Sequence, residues 1–141
     1  MKVRDILARK GRVVKTISPR SALRDAAALL QTHRIGALVV VDAEKPVGII
    51  SERDIVNAIA NRGAEAIDKP VSAFMSRDMI TCALDDSTDE LMEIMTEKRV
   101  RHLPVLEDGR LAGLVSIGDV VKQRIEEISF EAEQMKMFIA S

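Results

Sequence analysis

The sequence is poor in the residues that build most reactive or adhesive sites. Cys82 is its one cysteine, so no intrachain disulfide can form and a reducing compartment, the cytoplasm, is expected. Tryptophan and tyrosine are absent, and phenylalanine occurs only at Phe74, Phe130 and Phe138. Proteins that grip single-stranded nucleic acid stack bases on aromatic rings, and that equipment is missing. The two histidines, His33 and His102, and the lone thiol offer no zinc-ligand spacing, and no G-x-S-x-G, H-E-x-x-H or Walker sequence occurs. Neither sign of charge dominates: 21 basic residues face 22 acidic ones for a net charge of −1, which gives no field to collect nucleic acid or anionic lipid. The longest strongly apolar run, GALVVV, is far too short to span a bilayer, and the opening MKVRDILARKGRVV lacks a signal-peptide core. Metal, membrane, nucleic acid and nucleophile–base catalysis are therefore all expected to be absent.

What the sequence does contain is a repeat. At 141 residues and 47% hydrophobic content it suits one compact domain or two small halves. Sliding Thr16–Val56 onto Thr81–Val121, an offset of 65 residues, needs no gap and gives eight identities, among them Arg34/Arg99, Gly48/Gly113, Ser51/Ser116 and Asp54/Asp119. Chance at average residue usage gives roughly 2–3 over that length. Each copy reads as a strand (RVVKTI or DMITCA), a helix, two strands around a turn (AEKP or DGR), and a second helix after the serine, that is, β-α-β-β-α twice. One such unit buries little surface alone, so an α/β (α+β) fold of two pseudo-twofold units packed sheet to sheet is expected.

The division expected is repeat 1 over residues 1–62, a linker over 63–70, repeat 2 over 71–125 and a helical extension over 126–141. In the connecting stretch VSAFM mirrors the N-terminal VRDIL, so the two arms lead into equivalent strands. In the extension Val121, Ile125, Ile128, Ala132, Met135 and Ile139 follow at spacings of 4, 3, 4, 3 and 4, a seam that suits either packing on the chain's own domain or a dimer contact. The acidic group Asp85, Asp86, Asp89 and Glu90 lies at a turn and helix start, where carboxylates complement the helix dipole.

The chemistry concentrates at the twice-written junctions GIISERDIV and GLVSIGDVV. Serine before a helix with an acidic residue three later is a capping box. The same capped helix start also attracts anions, and an aspartate not consumed by capping can accept two vicinal hydroxyls, so both readings stand. The copies differ in their cations: Arg101-His102 replaces Gly36-Ala37, and Arg53 replaces Gly118.

The double β-α-β-β-α pattern, the RHLPV strand and the paired G-h-h-S-x-x-D junctions (h, apolar) resemble a tandem pair of CBS domains, the Bateman module named for cystathionine β-synthase and found also in IMP dehydrogenase and the AMP-activated kinase. The likeness runs to about Ile125 and is to stand-alone bacterial modules. It implies clefts between the copies for adenosine-containing ligands: AMP above all, or ADP, ATP, NAD or S-adenosylmethionine, with no metal. Carried over, one cleft would combine Ser116 and Asp119 with Thr16, Ile17, Ser18, Ile35, Gly36 and Ala37. The other would combine Ser51 and Asp54 with Thr81, Cys82, Val100 and Arg101, while Arg101, His102 and Arg53 would meet phosphate. The resemblance further implies a non-enzymatic sensor, a homodimer of two modules in a flat disc, and a separate regulated protein; an interaction scaffold with vestigial clefts is the alternative.

Overall fold

A computed structural model describes residues 1–140. The elements in chain order are helix α1 (Val3–Lys10), strand β1 (Thr16–Ile17), α2 (Leu23–His33), β2 (Ala37–Asp42), β3 (Lys45–Ser51), α3 (Glu52–Arg62), α4 (Thr88–Lys98), β4 (His102–Glu107), β5 (Arg110–Ser116) and α5 (Ile117–Ala140), with two 3₁₀ helices at Gly63–Asp68 and Val71–Ala73. They form a mixed α/β fold with two small sheets and a long C-terminal helix. Two compact units result, and they are not consecutive in sequence. The first is Val13–Ile80; the second joins Met1–Arg12 to the chain from Thr81 onward.

In the first unit β1 lies parallel to β2, and β2 pairs with β3 antiparallel, Thr16 opposite Val39 and Ala37 opposite Ser51. The alternation that suits a strand turns Leu38, Val40 and Ile50 into a core closed by Leu23, Ala26 and Leu30 of α2. The stretch expected as a linker is built into this unit. Ala66 is fully buried, Leu23 donates its N–H to the Lys69 carbonyl (2.9 Å), and Val71 donates to Ser21 (2.8 Å).

The second unit repeats the plan with β4 and β5, His102 opposite Ser116, and even repeats the irregularity: register shifts fall at Val40/Val41 and at the matching Val105/Leu106. Both expected first strands are shorter than the sequence suggests. Of RVVKTI only Thr16–Ile17 is strand, and of DMITCA only Cys82 pairs, as an isolated parallel bridge to Val105. The AEKP turn contracts to Ala43 and Glu44, because Lys45 and Pro46 already belong to β3, whose place at the sheet edge tolerates a proline.

Each unit is completed by an arm. Helix α1 buries Val3, Ile6 and Leu7 on the second unit, and is fixed there by N–H bonds from Val3 to Asp86 (2.9 Å) and from Arg4 to Leu84 (3.0 Å), by the Arg4–Asp85 pair (2.6 Å) and by an Arg9–Glu126 pair. Val71 and Met75 serve the first unit in the same way. The repeated glycines explain themselves here. A Cβ on Gly113 would stand 2.7 Å from a Leu7 methyl, and one on Gly48 would stand 2.8 Å from the Ser76 carbonyl and 2.9 Å from the Met75 sulfur. The arms VRDIL and VSAFM thus match through Val3/Val71 and Leu7/Met75, although one is an α-helix and the other a single 3₁₀ turn.

Candidate functional site

Strand β3 runs into α3 through Ser51, and β5 runs into α5 through Ser116. Ser51 holds an extended backbone as N-cap, and its hydroxyl accepts the Asp54 N–H at 3.3 Å. Asp54 reaches back: its Oδ2 accepts the Ser51 N–H (2.8 Å) and hydroxyl (3.0 Å). At the second junction Asp119 N–H donates to Ser116 Oγ (3.1 Å), and Ser116 N–H donates to Asp119 Oδ2 (2.8 Å). Both junctions are therefore capping boxes. In each, every bond to the aspartate carboxylate falls on Oδ2, so among the described residues Oδ1 of Asp54 and of Asp119 has no protein partner.

The strand starts adjoin these helix starts. Glu52 donates its N–H to the Gly36 carbonyl (3.0 Å), and Ile117 donates to the Arg101 carbonyl (2.8 Å). Gly36 and Ala37 therefore lie beside Ser51, as Arg101 and His102 lie beside Ser116. Within its own unit Arg101 adjoins Ser116. A groove of about 540 Å³ in the first unit is lined by Ile35, Gly36 and Glu52 together with Arg34 and Val56.

The remaining residues divide by burial. Ile17, Ala37 and Cys82 turn into the cores, so their side chains serve packing and only their backbones are available to a ligand. Burial, with Asp86 nearby, pushes the Cys82 thiol up to about 12 from 9.0, which makes it an inert core group. Thr16 is exposed and Ser18, Ile35, Thr81 and Val100 are half-buried. Arg53 and Arg101 are exposed, and among the described residues neither guanidinium has a hydrogen-bond or ion-pair partner, so both are available to an anion.

One residue escaped the sequence reading. Lys10, at the end of α1, donates from Nζ to Asp119 Oδ2 (2.6 Å) and to the Leu114 carbonyl (2.7 Å). Burial opposes ionisation of Asp119, but the bonds from Lys10 and from Ser116 outweigh it and hold the carboxyl below the usual carboxylate range. No local pattern in the sequence marks this contact, which joins positions 109 apart.

The sequence model of the CBS domain matches residues 3–61 and again 71–126. The chain belongs to the CBS-domain family. Among solved CBS structures it is similar to the CBS-domain containing protein ATU1752 from Agrobacterium tumefaciens, with 50% identity, a TM-score of 0.87, and 88% of this chain and 99% of that one covered. The CBS domain pair of protein MJ0100, solved in complex with 5′-methylthioadenosine and S-adenosyl-L-methionine, is 29% identical with a TM-score of 0.80, over 90% and 98% of the two chains. The CBS domain protein PAE2072 from Pyrobaculum aerophilum, complexed with AMP, is 28% identical with a TM-score of 0.75, over 84% and 89%. Three curated relatives are longer, the aligned part spanning 68%, 58% and 66% of their length, while the CBS domain-containing protein YhcV of Bacillus subtilis, 28% identical, is covered to 82%. Among the described residues no helix is long and apolar enough to cross a membrane, and no group of histidine, cysteine and carboxylate side chains could hold a metal ion.

Proposed function

We propose that this chain is a non-catalytic, cytoplasmic regulatory module that binds adenosine-containing ligands at its Ser-x-x-Asp junctions, AMP foremost, with ADP, ATP, NAD and S-adenosylmethionine as the rest of the class. The observation that carries the reading is the open oxygen of each junction aspartate: Oδ2 closes the capping box while Oδ1 is free to accept ribose hydroxyls. A hydrogen bond to a charged acceptor contributes about 1.5–3 kcal/mol, enough to hold a diol in place. Arg101 serves phosphate beside Ser116, where His102 joins it, and Arg53 is the exposed cation at the Ser51 junction. Thr16, Ser18, Ile35, Gly36, Thr81 and Val100 supply further contacts to ribose and base. The AMP and 5′-methylthioadenosine complexes of two structural relatives support the ligand class.

No metal is needed, because the arginines meet the anion. Occupancy favours one conformation over another, and a separate regulated protein reads the difference. The working form is a homodimer, supported by α5: Val121, Ile125, Ile128, Met135 and Ile139 are all exposed along one seam, opposite the face that buries Val120 and Gln123. The alternative, a scaffold with vestigial sites, draws on the fact that both aspartates already complete capping boxes.

Thermal unfolding with AMP, ADP, ATP, NAD, S-adenosylmethionine and GMP separates the two readings. A ligand at about 100 times its dissociation constant adds about 2.7 kcal/mol of stability. On the sensor reading at least one adenosine ligand raises the midpoint and Asp119→Ala abolishes or shrinks the rise; on the scaffold reading no ligand does.

A further inference from the structure

We infer that Lys10 divides the two junctions by ligand charge. The Asp119 junction takes an anionic, phosphorylated adenosine, and the Asp54 junction takes an uncharged or cationic one, such as a thioether or sulfonium nucleoside. The inference rests on the adenosine-binding reading and sharpens it to two unlike specificities.

The argument starts from donors. An ammonium has three N–H groups, and Lys10 spends two, on the Leu114 carbonyl (2.7 Å) and on Asp119 Oδ2 (2.6 Å). Among the described residues the third is unspent, on a side chain that is 38% exposed and next to a carboxylate whose Oδ1 is open. A ligand hydroxyl on Oδ1 therefore arrives beside a fixed cation. Arg101 adds a second unpaired cation to the same helix start. Gly118 leaves the approach open, since a Cβ there would meet only Ser116 Oγ, at 3.6 Å. Lys10 and Arg101 thus outnumber Asp119.

The first unit inverts each of these choices. In the sequence match of the arms Asp78 stands against Lys10, and no ammonium reaches Asp54 from the arm: among the described residues the bonds to its carboxylate come from Ser51 alone. Gly36 stands for Arg101 and Glu52 for Ile117. Within Ser51–Asp54, Arg53 is the one cation, against the carboxylates of Glu52 and Asp54. Fixed charges of one sign around a site exclude ligands of the same sign and admit the opposite one. The two junctions share a ribose acceptor and differ in which substituent they tolerate at the far end of the nucleoside.

Isothermal titration of the full chain with AMP and with 5′-methylthioadenosine tests this. In wild type the two ligands fill separately and add in one mixed titration. Lys10→Met lowers AMP affinity on the order of tenfold, the loss of one charge-assisted hydrogen bond, and leaves 5′-methylthioadenosine within about threefold. Lys10→Arg restores AMP binding. Because the lysine also tethers the arm, a wild-type readout stands beside the variants: AMP affinity falls with ionic strength and 5′-methylthioadenosine affinity does not. Equal losses for both ligands in Lys10→Met, equal salt dependence, or complete competition between the ligands overturns the division by charge while leaving adenosine binding intact. Failure of wild type to bind either ligand overturns the parent reading and this one with it.

Discussion

A single methyl group placed on each of the repeated glycines should distinguish the two arms. At Gly113 an added Cβ meets the two Leu7 methyls at 2.7 and 2.8 Å. These are the ends of a side chain with two rotatable bonds, so the clash relaxes by rotation. At Gly48 the nearest atom is the Ser76 carbonyl oxygen, at 2.8 Å, and it belongs to a backbone held by reciprocal bonds with Ile49, of 3.0 and 2.9 Å. That atom retreats only by breaking a bridge. Overpacking costs about 1–3 kcal/mol, so we expect about 1 kcal/mol for Gly113→Ala and about 3 kcal/mol for Gly48→Ala, read as shifts of urea midpoint at constant slope. Leu7, which is 1% exposed, gives the control. Leu7→Ala alone costs about 2–5 kcal/mol, and in Leu7→Ala/Gly113→Ala the new methyl fills part of the hole, so the double variant should lose less than the sum of the singles by at least about 0.5 kcal/mol. Equal costs at the two glycines, or strict additivity in the double variant, would refute the claim that the arm contact is what requires glycine.

Three further outcomes are expected. Cys82, whose pKa is raised to about 12, favours the neutral thiol in the folded chain, so its contribution is full below its ordinary value of 9.0 and is lost as pH climbs from there towards 12. Alkylation by iodoacetamide at pH 8.5, followed by intact mass, should be slow until denaturant is added; rapid labelling of native protein contradicts the assignment. Gln123 is 2% exposed and among the described residues its Nε2 has no partner, and an unsatisfied buried donor costs about 1–3 kcal/mol. Gln123→Met should therefore raise stability by about 1 kcal/mol in urea denaturation, and a fall would mean the amide is satisfied. Ile128 is 52% exposed on the α5 seam; Ile128→Lys should convert dimer to monomer in light scattering with an unchanged circular dichroism spectrum, and a persistent dimer removes the seam from the interface.

Much of this molecule could be read before its coordinates. The Ser51/Asp54 and Ser116/Asp119 boxes, the Asp108-Gly109 hairpin and the long terminal helix all rest on short-range rules, in which neighbouring residues supply both partners of the bond. What sequence reading lost was non-local. Lys10 meets Asp119 from more than a hundred positions away, and no periodicity marks a contact made by one side chain across a docked arm. The AEKP turn is legible in the sequence, but its contraction to Ala43–Glu44 is not: both residues adopt positive φ, 49° and 67°, where the usual glycine or asparagine signal is absent. Here the pairing of β2 with β3 overrides local preference, while its counterpart, with Asp108 and Gly109, obeys it.

The docking of α1 also bears on how the chain acquires its structure during synthesis. Residues 13–80 are continuous and can close their own core as soon as they have emerged. Helix α1 cannot, because its partners Leu84, Asp86, Gly113 and Asp119 are translated last. At about 5–20 residues per second the interval between Lys10 and Asp119 is on the order of ten seconds. Throughout it, Val3, Ile6 and Leu7 must remain uncommitted, a nascent apolar helix waiting beside the ribosome for a surface that does not yet exist.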